Sequence, residues 1–261
     1  MCEIHYIKNP QGITIKERKI ITTMLKKGSK INEDGSGYFS PSQHSKNLKI
    51  VNTSRIKGEE WTVLHNRLST SGAINHLNTQ PIKKERYIIA HNGVLWDKNT
   101  EGRSDTFNLL RRFEELSKYE TIKNIKSVMK EVQGSYSIFL YDRIEKRLFY
   151  FKNDNTSFSF YSFGKTIIGS TKEERIISAT TKKNNGMKTF YKTLTGFLKP
   201  KSYKIYELNN EKPFLIVGSI KKKKILSNYN NILFDYGYGD WKKYNEEKKE
   251  KYNIIKKTRW C

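Results

Sequence analysis

The order of the predicted elements indicates an α+β fold. Short segments with strand character recur through residues 2–210, and only a few helical segments lie between them. Strands and helices do not alternate regularly, as they would in a doubly wound parallel sheet. The length of 261 residues suits one large domain, or one domain with an appendage. We therefore predict an α+β domain over residues 2–210 and a lysine-rich C-terminal appendage over residues 221–261.

The N-terminal part of the chain predicts strands on both sides of a helix. Residues 2–8 alternate in polarity, which is typical of a short strand. Residues 14–27 carry apolar side chains at helical spacing, and Gly28 is suited to end that helix. A turn-rich segment at 31–37 separates this helix from the next strands. Those strands are predicted from Tyr38, at 47–52 and at 61–68.

The middle of the chain predicts a strand, two helices and then a run of strands. The apolar residues 87–91 form a strand that is expected to stop at the turn pair Asn92-Gly93. Ser104 is expected to cap a helix, and Asp105 in its first turn complements the helix dipole. The remaining elements are a helix at 121–131, strands at 135–141, 146–151, 157–163 and 166–170, a helix at 172–179 and a strand at 202–208.

The net charge is strongly positive. The chain carries 50 Lys+Arg and 26 Asp+Glu, which gives a formal net charge of +24. A charge of this size suits a polyanionic partner such as nucleic acid. Lysine far outnumbers arginine, however, and Asn, Ile and Tyr are also abundant, as in proteins from AT-rich genomes. A polyanionic partner and codon bias therefore remain open as explanations.

Residue counts and patterns exclude several classes of protein. No stretch approaches the roughly 18 apolar residues of a membrane helix, and the N-terminus has no signal-peptide pattern. The only cysteines, Cys2 and Cys261, are too few for a disulfide framework or a cysteine-based zinc site. The sequence also has no clustered His, Asp and Glu pattern of a metal site. We therefore expect a cytoplasmic protein with no membrane contact, no metal and no cofactor.

Cys2 is a candidate nucleophile because of its position. It directly follows Met1, so removal of Met1 would place a thiol and a free α-amine on one residue. The amine ordinarily titrates at about 7.7–8.0 and the thiol at about 8.5. The amine can therefore take the thiol proton, directly or through a water, without a separate histidine. The alternative is that Cys2 is only a small buried residue.

Five segments downstream of Cys2 follow one another in a distinctive order. They are residues 32–37 (NEDGSG), 65–72 (HNRLSTSG), 91–93 (HNG), 104–106 (SDT) and 133–137 (QGSYS). Headed by Cys2, this series resembles the motifs of class II glutamine amidotransferases, which are N-terminal-nucleophile hydrolases. The resemblance extends to about residue 180 and implies a four-layer αββα sandwich.

The resemblance implies hydrolysis of the glutamine side-chain amide through a thioester on Cys2. The Asn92 side-chain amide and the Gly93 backbone N–H would then form the oxyanion hole. Asn92-Gly93 could instead be only a hairpin turn. The N-terminal mechanism needs no imidazole, so His65 and His91 are interpreted as structural.

Three further residues are implied to bind the substrate. Arg67 would clamp the glutamine carboxylate, and Thr70 would add a hydrogen bond to the same group. Asp105 would bind the α-ammonium group. Arg67 could instead be a surface cation, and Asp105 could be an ordinary first-turn helix charge.

The partners implied are glutamine and an ammonia-accepting synthase. Members of the family usually pass ammonia to a fused acceptor domain, and this sequence has no ATP-pyrophosphatase or phosphoribosyltransferase motif. The resemblance therefore implies a stand-alone subunit that supplies a synthase in trans. The basic segment 221–261 could dock this synthase or nucleic acid, and modification of a nucleobase is one use for the ammonia. Two alternatives stay open: another N-terminal-nucleophile amidohydrolase, and a retired enzyme fold that binds nucleic acid or is structural.

Overall fold

The computed structural model describes residues 2–96, 102–116, 118–181, 183–184, 187–188, 196–208 and 214–222. The predicted appendage at 221–261 lies outside these residues from position 223 onward, so it stays a prediction. Among the helices in these ranges, none is long and apolar enough to cross a membrane.

The described residues contain helices and strands in the mixture that defines the α+β class. The helices are α1 Ile15–Gly28, α2 Asp105–Glu115, α3 Thr121–Met129 and α4 Glu173–Thr180. The strands are β1 Glu3–Lys8, β2 Ser36–Phe39, β3 His44–Asn47, β4 Trp61–Asn66, β5 Ile82–Lys83, β6 Tyr87–Leu95, β7 Gly134–Asp142, β8 Arg147–Lys152, β9 Ser159–Phe163, β10 Thr166–Ser170, β11 Lys183–Asn184, β12 Met187–Lys188, β13 Gly196–Leu198, β14 Lys204–Glu207 and β15 Leu215–Ser219. The predicted α+β class is confirmed.

The strands of the described residues form two large antiparallel sheets and one small hairpin. The strand order of the first sheet is β13-β9-β10-β1-β4-β2-β3, and that of the second is β15-β14-β8-β7-β6-β5. Strands β11 and β12 pair only with each other. Strand β1 lies in the middle of the first sheet, between β10 and β4, so Cys2 at its start is next to an interior strand and not an edge strand.

Apolar side chains pack in three separate clusters. One cluster joins Ile4 and Tyr6 of β1 to Phe139 and Tyr150 of the second sheet, so it lies between the sheets. A second cluster packs α2 and α3 against the second sheet, and a third packs α1 and α4 against the first. Because Ile7 belongs to the third cluster, alternate residues of β1 face the second sheet and the helices.

Most predicted elements are confirmed to within a few residues. All four predicted helices are present. Thr14 caps α1 in a capping box with Glu17, and the Ser104 hydroxyl accepts from Phe107 N at the start of α2. Several strands were not predicted because they are short and weakly patterned. These are β3, β5, β11, β12, β13 and β15. Because β15 pairs with β14, the second sheet continues beyond residue 210.

The prediction of a strand at 47–52 is wrong. Strand β3 lies earlier and ends at Asn47, because the Asn47 side chain accepts a hydrogen bond from Lys49 N at 2.8 Å. The Ser36 hydroxyl donates to Lys49 O and accepts from Val51 N, both at 2.8 Å. These side-chain contacts replace the backbone ladder that a strand would need.

The predicted stop of a strand at Asn92-Gly93 is also wrong. Strand β6 runs on to Leu95, and Asn92 and Gly93 pair with Ser137 and Tyr136 of β7. The pairing partner lies far along the chain, so this tertiary contact overrides the local turn preference of the Asn-Gly pair.

A buried arginine joins the second sheet to its helices. Arg86 donates from Nε and Nη2 to Asp142 Oδ2 at 2.9 and 2.6 Å, and from Nη2 to Glu145 at 2.7 Å. It also donates to Thr121 at the start of α3. Although burial opposes it, these bonds to Asp142 hold the pKa of that carboxyl below its usual value.

Substitution of Arg86 by methionine should therefore destabilise the fold by about 3–5 kcal/mol, because it leaves the Asp142 charge buried without its partner. The matched control is Arg111→Met, whose guanidinium pairs with Glu115 on the exposed face of α2 at 3.6 Å. That change should cost about 0.5 kcal/mol or less. Urea unfolding of the two variants measures both values, and equal losses would contradict this role for Arg86.

Candidate active site

Cys2 directly precedes the first residue of β1, and it lies next to Arg67. The β1–β4 register places Glu3 opposite Asn66, so Cys2 and Arg67 are the next residues at this end of the pair. The Cys2 Sγ lies 3.4 Å from both the N and the O of Leu68. Burial raises the pKa of the Cys2 thiol to about 11, although the Leu68 backbone and Arg67 oppose this. The thiol is therefore protonated at neutral pH and needs a base to become a nucleophile.

Arg67 is buried rather than on the surface. Only 2% of the residue is exposed. Its Nη2 donates to Ser69 Oγ and to Ser71 O, both at 3.0 Å. Its Nη1 has no hydrogen-bond partner in the described part of the chain. A buried guanidinium with such an N–H group can bind a carboxylate. The free-energy cost is low because the N–H group then gains a hydrogen-bond acceptor.

Asp34 and Asp105 bring negative charge close to Arg67. Burial lowers the pKa of the Arg67 guanidinium, and the nearby Cys2, Asp34 and Asp105 groups oppose that effect. Asp34 accepts from Ser69 N at 2.8 Å. Ser71 connects Arg67 to Asp105, because its O accepts from Arg67 and its hydroxyl donates to Asp105 Oδ1 at 3.1 Å.

The Asp105 carboxylate is held at the junction of α2 and β6. Its Oδ1 accepts from Thr106 N at 2.7 Å, and its Oδ2 accepts from Leu95 N at 2.9 Å. It is therefore a first-turn helix charge and also the contact that fixes the end of β6. Within the described residues, no group of three potential His, Cys, Asp or Glu ligands could hold a metal ion.

Asn92 and Gly93 lie inside β6, three and two residues before its end at Leu95. Asn92 is buried, and its Oδ1 has no partner among the described residues. Gly93 has a φ of +144°, and a Cβ there would lie 2.0 Å from Ser135 O. Only glycine therefore allows β6 and β7 to approach each other at this point.

Two buried histidines connect the sheets behind these residues. His65 Nε2 lies 3.1 Å from His91 O, and burial lowers the pKa of His65 to about 3. The His91 ring lies between Thr106 Oγ1 at 3.0 Å and Ser135 O at 3.3 Å. Burial also lowers the pKa of His91, so both rings are neutral near pH 7, and both contact neighbouring groups. The His65–His91 contact brings the Cys2 end of the first sheet to Asn92 of the second.

Thr70 differs from the other predicted site residues, because they are buried and it is not. Thr70 is exposed, and its side chain makes no hydrogen bond within the described residues. Its neighbours Ser69 and Ser71 make the contacts to Arg67 and Asp105 instead. Neither these serines nor Asp34 is among the site residues predicted from the sequence. All three lie in the segments that carried the resemblance, which was the available signal.

An ion pair on the helix side of the first sheet anchors the end of β1. Arg175 of α4 donates from Nε and Nη2 to the two carboxylate oxygens of Glu3, at 2.9 and 2.8 Å. Burial opposes it, but these bonds hold the pKa of Glu3 below its ordinary value. Because Glu3 directly follows Cys2, this bidentate pair fixes the backbone next to the thiol.

The comparisons with known proteins find similarity in fold and not in sequence. No protein-family model matches the chain, and no curated protein matches it. One similar solved structure is glutamine phosphoribosylpyrophosphate (PRPP) amidotransferase from B. subtilis, complexed with ADP and GMP. The TM-score is 0.57 at 14% identity, over 80% of this chain and 48% of that one. Another is described as the allosteric regulatory enzyme of purine biosynthesis, with a TM-score of 0.59 at 14% identity, over 80% and 47%.

The chain therefore spans about half the length of these two structures. At this identity the similarity is one of fold alone, and it agrees with the α+β class of the described residues.

The approach of β7 to Gly93 predicts a specific steric effect. Gly93→Ala should cost about 3 kcal/mol of stability, because the new Cβ meets the Ser135 carbonyl. Gly58→Ala is the control, since Gly58 also has a positive φ, +88°, but has nothing within 4 Å of its Cβ position. That control should cost about 1 kcal/mol. Thermal and urea unfolding measure both variants, and a Gly93→Ala protein as stable as the control would refute the close approach.

Proposed function

We propose that this chain is a glutamine-hydrolysing domain of the class II amidotransferase kind, built on a four-layer αββα N-terminal-nucleophile hydrolase sandwich. The observation that carries the proposal is the buried Arg67 guanidinium beside Cys2, whose Nη1 has no hydrogen-bond partner among the described residues. An unpaired buried donor costs free energy, and the carboxylate of an amino acid would remove that cost. The three separate apolar clusters and the similarity in fold support the layered architecture.

The arrangement suits a small zwitterion. In the proposed complex the glutamine carboxylate binds Arg67 and the α-ammonium binds Asp105. Ser71 contacts both of these residues, and this shared contact supports a single site for the two opposite charges of an amino acid. Thr70 is a proposed additional contact to the carboxylate from the exposed edge.

The proposed reaction needs a mature chain that begins at Cys2. The freed α-amine takes the thiol proton, and Sγ attacks the glutamine side-chain carbonyl. The Asn92 side-chain amide and the Gly93 N–H stabilise the oxyanion. Ammonia leaves with the proton from the α-ammonium, and a water then hydrolyses the γ-glutamyl thioester. The raised pKa of the Cys2 thiol makes such a local base necessary.

The ammonia is proposed to serve a synthase that is a separate protein. The support is that residues 1–261 contain no ATP-pyrophosphatase or phosphoribosyltransferase motif. The basic segment 221–261 is the proposed docking element for that synthase or for nucleic acid, and nucleobase modification is the proposed use when nucleic acid is the partner. Affinity capture with the full chain, and again with residues 221–261 deleted, tests this docking role.

Two substitutions test the proposed chemistry. Cys2→Ala should abolish glutamine hydrolysis while the unfolding midpoint stays within the range of other conservative changes. Arg67→Lys keeps the charge but loses the forked donor geometry, so KM for glutamine should rise about tenfold or more with a smaller change in kcat. Arg111→Lys is the matched control on the surface. Measurable turnover by the Cys2→Ala protein, or an unchanged KM after Arg67→Lys, would refute these roles.

A further inference from the structure

A cavity lies at the same end of the two sheets as Cys2. Its volume is about 460 Å³, and it lies over the ends of β8, β9 and β10. The residues that matter for its chemistry are Lys152, Thr156, Ser157, Thr171, Lys172 and Lys199. The proposed reaction uses none of these side chains.

In the first sheet, the cavity and Arg67 lie on opposite sides of β1. Thr171 follows β10, where its N donates to Ile4 O and its hydroxyl accepts from Ile4 N, both at 3.0 Å. Strand β4, which leads into Arg67, pairs with the other edge of β1. Cys2 at the end of β1 is therefore flanked by Arg67 on one side and by the wall of the cavity on the other.

The second sheet repeats this arrangement. Asn92 pairs with Ser137 of β7, and Ser137 pairs with Lys152 of β8. Paired residues project from the same face of a sheet. Tyr150, two residues before Lys152, belongs to the cluster between the sheets, so Lys152 faces the first sheet as well. This row therefore leads from the proposed oxyanion residue to the cavity.

One row of residues runs from Arg67 past Cys2 to Thr171 in the first sheet, and the other runs from Asn92 past Ser137 to Lys152 in the second. Together these two rows place the cavity on the leaving-group side of the thiol. In the proposed complex the amino-acid end of the substrate lies toward Arg67 and Asp105. The scissile amide lies at Cys2 and Asn92. Whatever lies beyond the amide nitrogen then points away from Arg67, toward the cavity.

The cavity has the chemistry of an anion site. Lys152 is 7% exposed, and its Nζ donates to Asn153 O at 2.7 Å and to Ser202 Oγ at 3.0 Å. An ammonium has three N–H donors, so, with two partners among the described residues, one donor is left for a ligand. Lys172 and Lys199 lie at the exposed rim. Of the two acidic residues in the lining, Glu173 accepts from the Tyr161 hydroxyl and Glu174 is exposed on α4.

We propose that this cavity is a subsite for an oxyanion group, phosphate or carboxylate, on the molecule beyond the scissile amide. The inference rests on the proposed function. The oxyanion has two possible sources, which are a substituent on the amide nitrogen and a separate molecule that takes up ammonia. With a substituent, the bond from Cys2 sulfur to carbon forms and the carbon–nitrogen bond breaks. The amine leaves with the former thiol proton, and water hydrolyses the thioester to restore the thiol.

The experiment uses the full processed chain and compares three substrates: glutamine, γ-glutamylglycine and γ-glutamyl ethylamide. The last two differ mainly in the carboxylate on the leaving amine. We expect kcat/KM for γ-glutamylglycine to exceed that for the ethylamide about tenfold or more, if the oxyanion is a substituent. Calorimetric titration with inorganic phosphate and pyrophosphate, in the presence of glutamine, tests the second source.

Two variants and one control locate the effect. Lys152→Gln and the rim variant Lys172→Gln should each reduce the substrate ratio toward one and weaken phosphate or pyrophosphate binding about tenfold. Lys172 is exposed, so its variant is expected to fold even if the Lys152 variant does not. Lys83→Gln, an exposed lysine on β5, removes the same charge and should leave both measurements unchanged.

The possible outcomes separate the inference from the proposed function. A substrate preference that depends on Lys172 supports the substituent, and phosphate binding that depends on Lys172 without that preference supports a separate acceptor. Glutamine turnover with a ratio near one and no lysine-dependent phosphate binding overturns the subsite and leaves the proposed function standing. No turnover of any substrate overturns the proposed function, and the phosphate titration then still decides whether the cavity binds an oxyanion.

Discussion

The burial of the Arg67 guanidinium is the constraint on which the rest of the site depends. A charged group that is 2% exposed must recover its lost hydration from nearby oxygens. Ser69 and Ser71 supply two of these, and Asp34 and Asp105 supply the compensating charge. The loop after β4 is thereby folded back onto the start of α2. The Nη1 group of Arg67 has no partner in the part of the chain that the structure describes, and this makes the site a candidate for binding a carboxylate instead of a closed structural ion pair.

The two sheets bring this cation to the thiol. Antiparallel pairing of β1 with β4 sets Cys2 beside Arg67, and the Glu3–Arg175 pair holds the end of β1 from the helix side. The contact between His65 and His91 then fixes the second sheet against the first, and Asn92 is the residue that follows His91 in β6. Each of these contacts connects residues distant in sequence, so the geometry of the site is a property of the whole fold. The same rows, continued away from Arg67, lead to the cavity that contains Lys152.

Local features of this fold are predictable from the sequence, whereas features that depend on distant contacts are not. The helix starts at Thr14 and Ser104 are predictable because a cap is formed by residues within one turn of each other. The full length of β6 is not predictable in this way, because the partner of Asn92 lies more than forty residues away in β7.

The candidate site shows the same division between local and distant contacts. The motifs identified Arg67 and Asp105, which the structure brings together. They did not distinguish Thr70 from its neighbours Ser69 and Ser71, because the direction of a side chain in an irregular loop depends on its tertiary contacts. The pair between Glu3 and Arg175 has no sequence signal, since it joins two ordinary charged residues 172 positions apart.

The most direct test of the central claim is peptide mass spectrometry of the purified chain after treatment with a glutamine analogue that carries an electrophile at the side-chain carbonyl position. We predict a mature N-terminus at Cys2 and a single adduct on the Cys2 sulfur, which excess glutamine prevents from forming. A form that retains Met1 should remain unlabelled at neutral pH, because burial keeps its thiol protonated. Labelling of the Met1-retaining form at the same rate, or a processed chain that forms no adduct, would contradict the account.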